Sequence, residues 1–245
     1  MDNKKILIAQ PAPPSGNSPY SDLIRKYGAE IDFKPFFRVE PLTLKEFRSQ
    51  HINILDHTAI VFFSRVAVDS FFHICSELRI TVPETMKYFC QSEAIALYLQ
   101  KYIVYRKRKI FFGTGTIPSI LDCITAKHKG EKFLIACTDG LKPETDKLFV
   151  NHKLVHAPAV FVKTVNSDLS GLDISKYGII AFYSPSDVRS LKVNFPDFAQ
   201  GDTRFVSYGP TTAKALKAEN IEIAIEAPAP GIPSIAVALG KILAE

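Results

Sequence analysis

The most informative ten residues of the chain are Ser207-Tyr208-Gly209-Pro210-Thr211-Thr212-Ala213-Lys214-Ala215-Leu216. Ser207 and Tyr208 end a strand, Gly209 makes a turn, and Thr211 and Thr212 open a helix, so the stretch is one strand-to-helix step of an α/β sheet. A helix start of this kind points backbone N–H groups and hydroxyls at whatever lies beyond the strand end, an arrangement suited to an anion. The same hydroxyls also serve as ordinary caps that satisfy the helix's own unpaired donors. The rest of the chain weighs one reading against the other.

Working outward, the step has a counterpart in Phe89-Cys90-Gln91-Ser92-Glu93-Ala94, and its neighbours have counterparts too. Lys132-Phe133-Leu134-Ile135-Ala136 matches Lys5-Ile6-Leu7-Ile8-Ala9 in character. Ile179-Ile180-Ala181-Phe182-Tyr183-Ser184 matches Ile60-Val61-Phe62-Phe63-Ser64, and Gly231-Ile232-Pro233-Ser234-Ile235 matches Thr116-Ile117-Pro118-Ser119-Ile120. The matched segments keep the same order and recur about 115 to 127 positions later, which is the mark of a duplicated architecture.

Between these segments strands alternate with helices. Lys5–Ala9 is an apolar run suited to a strand buried on both faces, and Gln10 to Pro19 is a Pro, Gly and Ser loop. A helix over Tyr20–Tyr27 stops at Gly28, a C-cap position, before a strand at Glu30–Phe33. Phe36–Pro41 is extended, Thr43–Gln50 a polar helix, Ala59–Phe63 a strand, and a helix runs from Ser64 through Val68 and Phe72. Lys87–Cys90, Glu93–Lys101, Ile110–Phe112 and Ile117–Lys127 continue the alternation. The pattern predicts two similar α/β domains, each a doubly wound parallel sheet.

Each domain would present serine and threonine turns at the carboxyl ends of its strands, where open α/β sheets bind ligands. With the two domains facing one another, a cleft would be lined by Ser64, Arg65 and Ser92 on one side. Ser184, Ser186, Thr211 and Thr212 would line the other. Each converging helix start favours a carboxylate by roughly 0.3 to 1 kcal/mol, so a ligand with many acidic groups gains most.

Composition bounds the alternatives. The 245 residues are 47% hydrophobic, enough for real cores, and the formal charge of +5 favours anionic partners without naming one. No apolar run has the length of a membrane span, and Lys4-Lys5-Ile6-Leu7-Ile8-Ala9 is too short for a secretory signal, so a cytoplasmic protein is expected. Cys75, Cys90, Cys123 and Cys137 read as free thiols. Tyr105-Arg106-Lys107-Arg108-Lys109 reads as a solvated approach to a strand, not a nucleic-acid patch. No Gly-x-Gly-x-x-Gly, Walker loop or His-Glu-x-x-His is present. His152 and His156 are expected to be a surface pair and not a metal site.

The order Phe182-Tyr183-Ser184-Pro185-Ser186, then Tyr208 to Leu216, then the proline-rich Ala227 to Ser234 and a final helix resembles the C-terminal half of the uroporphyrinogen-III synthase family. Val61-Phe62-Phe63-Ser64-Arg65-Val66-Ala67-Val68 is similar to that family's strand-Ser segment, and the likeness in layout spans essentially the whole chain. It implies a cofactor-free lyase that cyclises hydroxymethylbilane, a linear tetrapyrrole with acetate and propionate side chains, inverting the terminal ring. It also implies no nucleic-acid or membrane partner, and a monomer is expected. The competing expectation is a non-catalytic, two-lobed cytoplasmic binding protein for a small polyanion, which the same architecture would support.

The resemblance further implies that the first βα segment belongs with the C-terminal domain, giving one domain of 1–37 plus 165–245 and another of 38–164. The strands linking them would be Asp32 to Pro41 and Ala159 to Ser167. Carried over residue by residue, it puts Ser64, Ser184, Gly209, Thr211, Thr212 and a basic Arg204 at substrate carboxylates, alongside Arg65, Ser92 and Ser186. The family's tyrosine of a Tyr-x-Thr run falls on Val162, so that phenol is missing, and Tyr183 is the alternative. No catalytic acid is assigned, and Glu93 is expected to face away from a polyanion.

Overall fold

The computed structural model describes residues 4–14 and 18–245, and the Pro, Gly and Ser loop after Ala9 falls partly outside them. In chain order the strands are β1 (Lys5–Ile8), β2 (Glu30–Phe33), β3 (Phe37–Pro41), β4 (Ala59–Phe62), β5 (Lys87–Cys90), β6 (Ile110–Phe112), β7 (Lys132–Thr138), β8 (Val155–Asn166), β9 (Ile179–Phe182), β10 (Arg204–Tyr208) and β11 (Ile223–Ala227). The helices are α1 (Ser21–Tyr27), α2 (Leu44–Arg48), α3 (Arg65–Glu77), α4 (Glu93–Tyr98), α5 (Ile117–Asp122), α6 (Pro143–Asn151), α7 (Pro185–Asn194), α8 (Pro210–Ala218) and α9 (Ile235–Leu243).

The chain divides into two compact units, Met1–Arg38 with Val165–Glu245 and Val39–Thr164. The first holds a sheet in the order β11-β10-β9-β1-β2, with parallel pairing throughout. Its central strands are apolar on both faces because both faces are covered. Leu7, Ile180, Phe182 and Phe205 pack with Val188 and Leu191 of α7 and Leu216 of α8. Ile6, Ile8, Ala181 and Val206 pack on the other side with Leu23 of α1 and Ala238 and Leu239 of α9. Numbered within the unit, the strand order is 2-1-3-4-5, a doubly wound sheet whose winding reverses between β1 and β9.

The second unit carries the order β3-β8-β7-β4-β5-β6, in which β8, β7, β4, β5 and β6 are parallel neighbours. Ser167 N–H donates to Phe36 O and Leu42 N–H to Phe161 O, both at 2.9 Å, so β3 runs antiparallel to β8 at the edge. Ile60 and Phe62 pack under α3 and α4, while Val61, Ile135 and Phe133 pack under α5 and α6.

The two sheets are the same sheet entered at different points. Counting β7 first and β8 second, the second unit also reads 2-1-3-4-5, with its reversal between β7 and β4. The repeated segments then occupy equivalent places: β7 corresponds to β1, β4 to β9, β5 to β10 and α5 to α9. Each unit thus takes two strands from one repeat and three from the other.

Several element ends differ from the sequence reading. Gly28 caps α1 with φ of 65°, in the left-handed region expected of it. The helix expected over Glu93–Lys101 is α4 followed by a 3-10 turn at Leu99–Lys101, and α5 stops at Asp122, well short of Lys127. The extended stretch Asp32 to Pro41 is two strands, broken around Pro35, which has no N–H to give a ladder. Among the described residues, no helix is long and apolar enough to cross a membrane.

Candidate functional site

In the first unit, β9 and β10 deliver two helix starts side by side at the carboxyl edge, since Ser207 lies opposite Phe182 in the parallel register. Ser184 is the N-cap of α7: its hydroxyl accepts the Asp187 N–H at 3.3 Å, and Ser186 follows in the first turn, half-buried. Gly209 has φ of 83° and ψ of 152°, a conformation essentially reserved for glycine, and donates its N–H to Ala227 O at 2.6 Å. Pro210 then supplies the first helical residue without an N–H, and α8 has no side-chain cap. Among the described residues, the Thr211 and Thr212 amides have no hydrogen-bond partner. Thr211 is exposed beside them. An uncapped helix start with free amides and a hydroxyl at its rim binds anions.

In the second unit, β4 and β5 do the same. Phe62 and Cys90 are register partners, so Ser64 and Ser92, each two residues further on, open α3 and α4 next to each other. Ser64 accepts the Ala67 N–H at 3.1 Å. Ser92 makes no cap bond, and Glu93 is exposed beside it. Arg65 is exposed at the first position of α3, its guanidinium 5.4 Å from the Tyr98 ring centroid. The uncapped turns at Ser92 and Gly209 are the two members of the repeated pair, while their neighbours at Ser64 and Ser184 are both capped.

Two groups lie behind the first unit's edge, Asp187 buried and Tyr183 half-buried. Asp187 is 1% exposed, and its Oδ2 accepts the Tyr183 and Ser184 N–H groups, each at 2.9 Å. Burial nevertheless outweighs these bonds and pushes its carboxyl up to about 6, while Oδ1 has no partner. The Tyr183 hydroxyl shares a 2.6 Å hydrogen bond with Tyr20, and its ring lies 5.6 Å from that of Tyr208. Burial, then the Tyr20 contact, raise the Tyr183 phenol above its ordinary range, so it stays neutral and is a poorer acid than a free tyrosine.

Not every expected residue comes to the edge. Arg204 is the first residue of β10, at the amino end of the sheet, about 13 Å of extended chain from Tyr208. It pairs with Glu245 at 2.6 Å and is not part of this site. Thr212 is fully buried and its Oγ1 has no partner, so of the two threonines only Thr211 offers a hydroxyl. Val162 is likewise fully buried in the second unit's core. His152 ends α6 whereas His156 lies in β8 and bonds Asp146 at 2.9 Å; they are not a surface pair. Among the described residues, no group of three or more His, Cys, Asp or Glu side chains gathers as a metal ion would require.

The sequence reading also missed a cavity of about 280 Å³ in the second unit, lined among others by Phe63, Gln91, Thr138, Leu141, Lys142 and Thr145. It opens beyond the carboxyl ends of β7 and β4, whose following helices α6 and α3 cover opposite faces of the sheet. The signal was present in Lys142-Pro143-Glu144-Thr145, which repeats the Pro-x-Thr helix start of Pro210-Thr211-Thr212.

A profile of the family described as HEM4, Uroporphyrinogen-III synthase HemD, matches residues 18–236. Curated proteins yield no match to this sequence. Among solved structures, the chain resembles uroporphyrinogen-III synthetase from Helicobacter pylori 26695 with a TM-score of 0.58 at 15% identity, covering 98% of this chain and 99% of that one. It also resembles a mutant uroporphyrinogen III synthase from the extremely thermophilic bacterium Thermus thermophilus, with a TM-score of 0.54 at 13% identity, covering 97% and 96%. At these identities the structures speak for the fold, two α/β domains with parallel sheets, and the profile speaks for the family.

Proposed function

Since this chain belongs to the uroporphyrinogen-III synthase family, the lyases that cyclise hydroxymethylbilane, we propose that it grips the carboxylates of that linear tetrapyrrole with the carboxyl edges of its two sheets. The observation that carries this reading is the uncapped start of α8, where Pro210 leaves the Thr211 and Thr212 amides without partners beside the exposed Thr211 hydroxyl. Ser92, Ser64 and Arg65 offer the second unit's edge to further carboxylates. Ser184 and Ser186 extend the first.

The chemistry asks chiefly for conformation. Closing the chain without help gives the uninverted isomer, so the protein must hold the last ring with its substituted carbon against the first. Amides and hydroxyls fixed on rigid helix starts serve this, because a carboxylate docked there immobilises the pyrrole that bears it. The hydroxyl of the first ring leaves as water once its oxygen is protonated, which gives an azafulvenium cation that the last ring attacks. Tyr183, kept neutral by its surroundings and hydrogen-bonded through its hydroxyl to Tyr20, is read as a support for the Ser184 turn and not as the acid.

The test is kinetic. Thr211→Ala should raise KM for hydroxymethylbilane, generated in situ, by about tenfold, the loss of one hydrogen bond to a charged group. An unchanged KM removes the α8 start from the site.

A further inference from the structure

The cavity at the β7–β4 divide belongs to none of the residues discussed for the proposed function. It lies at the topological switch point of the second unit's sheet, outside the carboxyl ends of the strands, where doubly wound folds place their ligands. Its walls combine apolar Phe63, Ile117 and Leu141 with polar Gln91, Thr138, Lys142 and Thr145. A few convergent polar groups in a mostly apolar hollow are the usual make-up of a small-molecule site.

The polar side is built like the α8 start. Helix α6 has Pro143 at its first position and no side-chain cap on Lys142. Among the described residues, the Glu144 and Thr145 amides have no hydrogen-bond partner. Thr145 is 4% exposed and borders the cavity, and among the described residues its hydroxyl has no partner either. A hydroxyl in so buried a residue is ordinarily bonded to something. Lys142 is exposed at the rim, with no ion-pair partner among the described residues. The acidic groups of the same turn do not line the cavity: Glu144 is exposed, and Asp146 is engaged by His156 at 2.9 Å. Gly140, with φ of 141°, and Asp139, with φ of 60°, turn the chain from β7 into this helix. The Asp139 carboxylate fixes that turn by accepting the Thr164 N–H at 2.7 Å.

We infer that this cavity is a subsite for one pyrrole ring carrying carboxylate arms, the ring against Phe63, Ile117 and Leu141 and a carboxylate on Lys142, the Thr145 hydroxyl and the α6 amides. The inference rests on the tetrapyrrole reading of the chain. It adds a grip in the second unit beside the serine turns of α3 and α4, whose preceding residues Phe63 and Gln91 line it, and it explains why an otherwise unmatched threonine is buried at the third position of α6.

The experiment uses the full chain and two probes. A monopyrrole bearing one acetate and one propionate is titrated by ligand-observed NMR, and hydroxymethylbilane turnover is followed in parallel. Lys142→Met and Thr145→Val should each weaken monopyrrole binding by about tenfold and raise KM for hydroxymethylbilane similarly, with kcat changed less. Lys142 is exposed, so its variant tests the site even where Thr145→Val unfolds the unit. Monopyrrole binding and KM that are unaltered in Lys142→Met overturn the subsite, as does binding that is abolished by Thr211→Ala instead. If the wild-type chain binds the monopyrrole through Lys142 yet forms only the uninverted isomer, the synthase reading fails and the subsite stands.

Discussion

The Ser184 hydroxyl caps the Asp187 amide at 3.3 Å while the Asp187 carboxylate takes the Ser184 amide at 2.9 Å, a reciprocal lock on the turn that follows β9. The lock is made with a carboxylate that burial holds up to about 6, against an ordinary 3.8. Ionised Asp187 therefore opposes folding at neutral pH, and the opposition is relieved as pH falls through 6 toward 3.8, where the unfolded chain also protonates. The stability of the wild type relative to Asp187→Asn should rise by about 2 kcal/mol from pH 7 to pH 4, read from urea unfolding at each pH. A flat difference across that range contradicts the assignment.

Thr211 and Thr212 are neighbours with opposite surroundings, one exposed and one fully buried with an unpartnered hydroxyl. Replacing Thr212 by Val removes a buried polar group that gains nothing from its position. The variant should be as stable as the wild type or more so by about 1 kcal/mol, with KM unchanged. Loss of activity in Thr212→Val with Thr211→Ala unaffected reverses the roles given to the two residues.

Arg204 supplies a negative prediction. Being at the amino end of β10 and tied to Glu245, it should tolerate Ala with no change in KM and at most about 1 kcal/mol of stability. Steady-state kinetics decide it: a raised KM returns Arg204 to the site.

Gly113 tests the packing beneath the second unit's edge. A Cβ added there would meet Ser119 Oγ at 2.3 Å and the backbone of Ser119 and Ile120 at 2.9 Å. Because helix backbone gives little, Gly113→Ala should destabilise by about 1 to 3 kcal/mol in chemical unfolding. No loss of stability shows that β6 and α5 can separate freely.

Much of the fold was legible because the central strands are buried on both faces and therefore read as unbroken apolar runs, Ile6-Leu7-Ile8 and Ile179-Ile180-Ala181-Phe182 among them. The repeats were legible for the same reason. How the repeats share out into sheets was not, since strand order depends on which face each crossover covers, and periodicity carries no such information. Within the site, Ser64, Ser92, Ser184 and Gly209 were readable as helix starts after strands. Arg204 misled because a basic residue shortly before a glycine turn is near in sequence, while an extended strand carries it to the far end of the sheet. Thr212 misled because one step along a helix turns a side chain from rim to core. Thr145 stands between Glu144 and Asp146, an acidic setting that masks an anion site in the sequence, and only the packing shows that neither acid lines the cavity.

The most direct test of the account is the isomer composition of the product at increasing protein concentration. Hydroxymethylbilane generated in situ is closed in the presence of the full chain, the products are oxidised, and isomers I and III are resolved by chromatography. If the sheet edges hold the chain for inversion, isomer III replaces isomer I as protein is added, and Thr211→Ala needs more protein to reach the same ratio. Isomer I alone at every protein concentration contradicts the account.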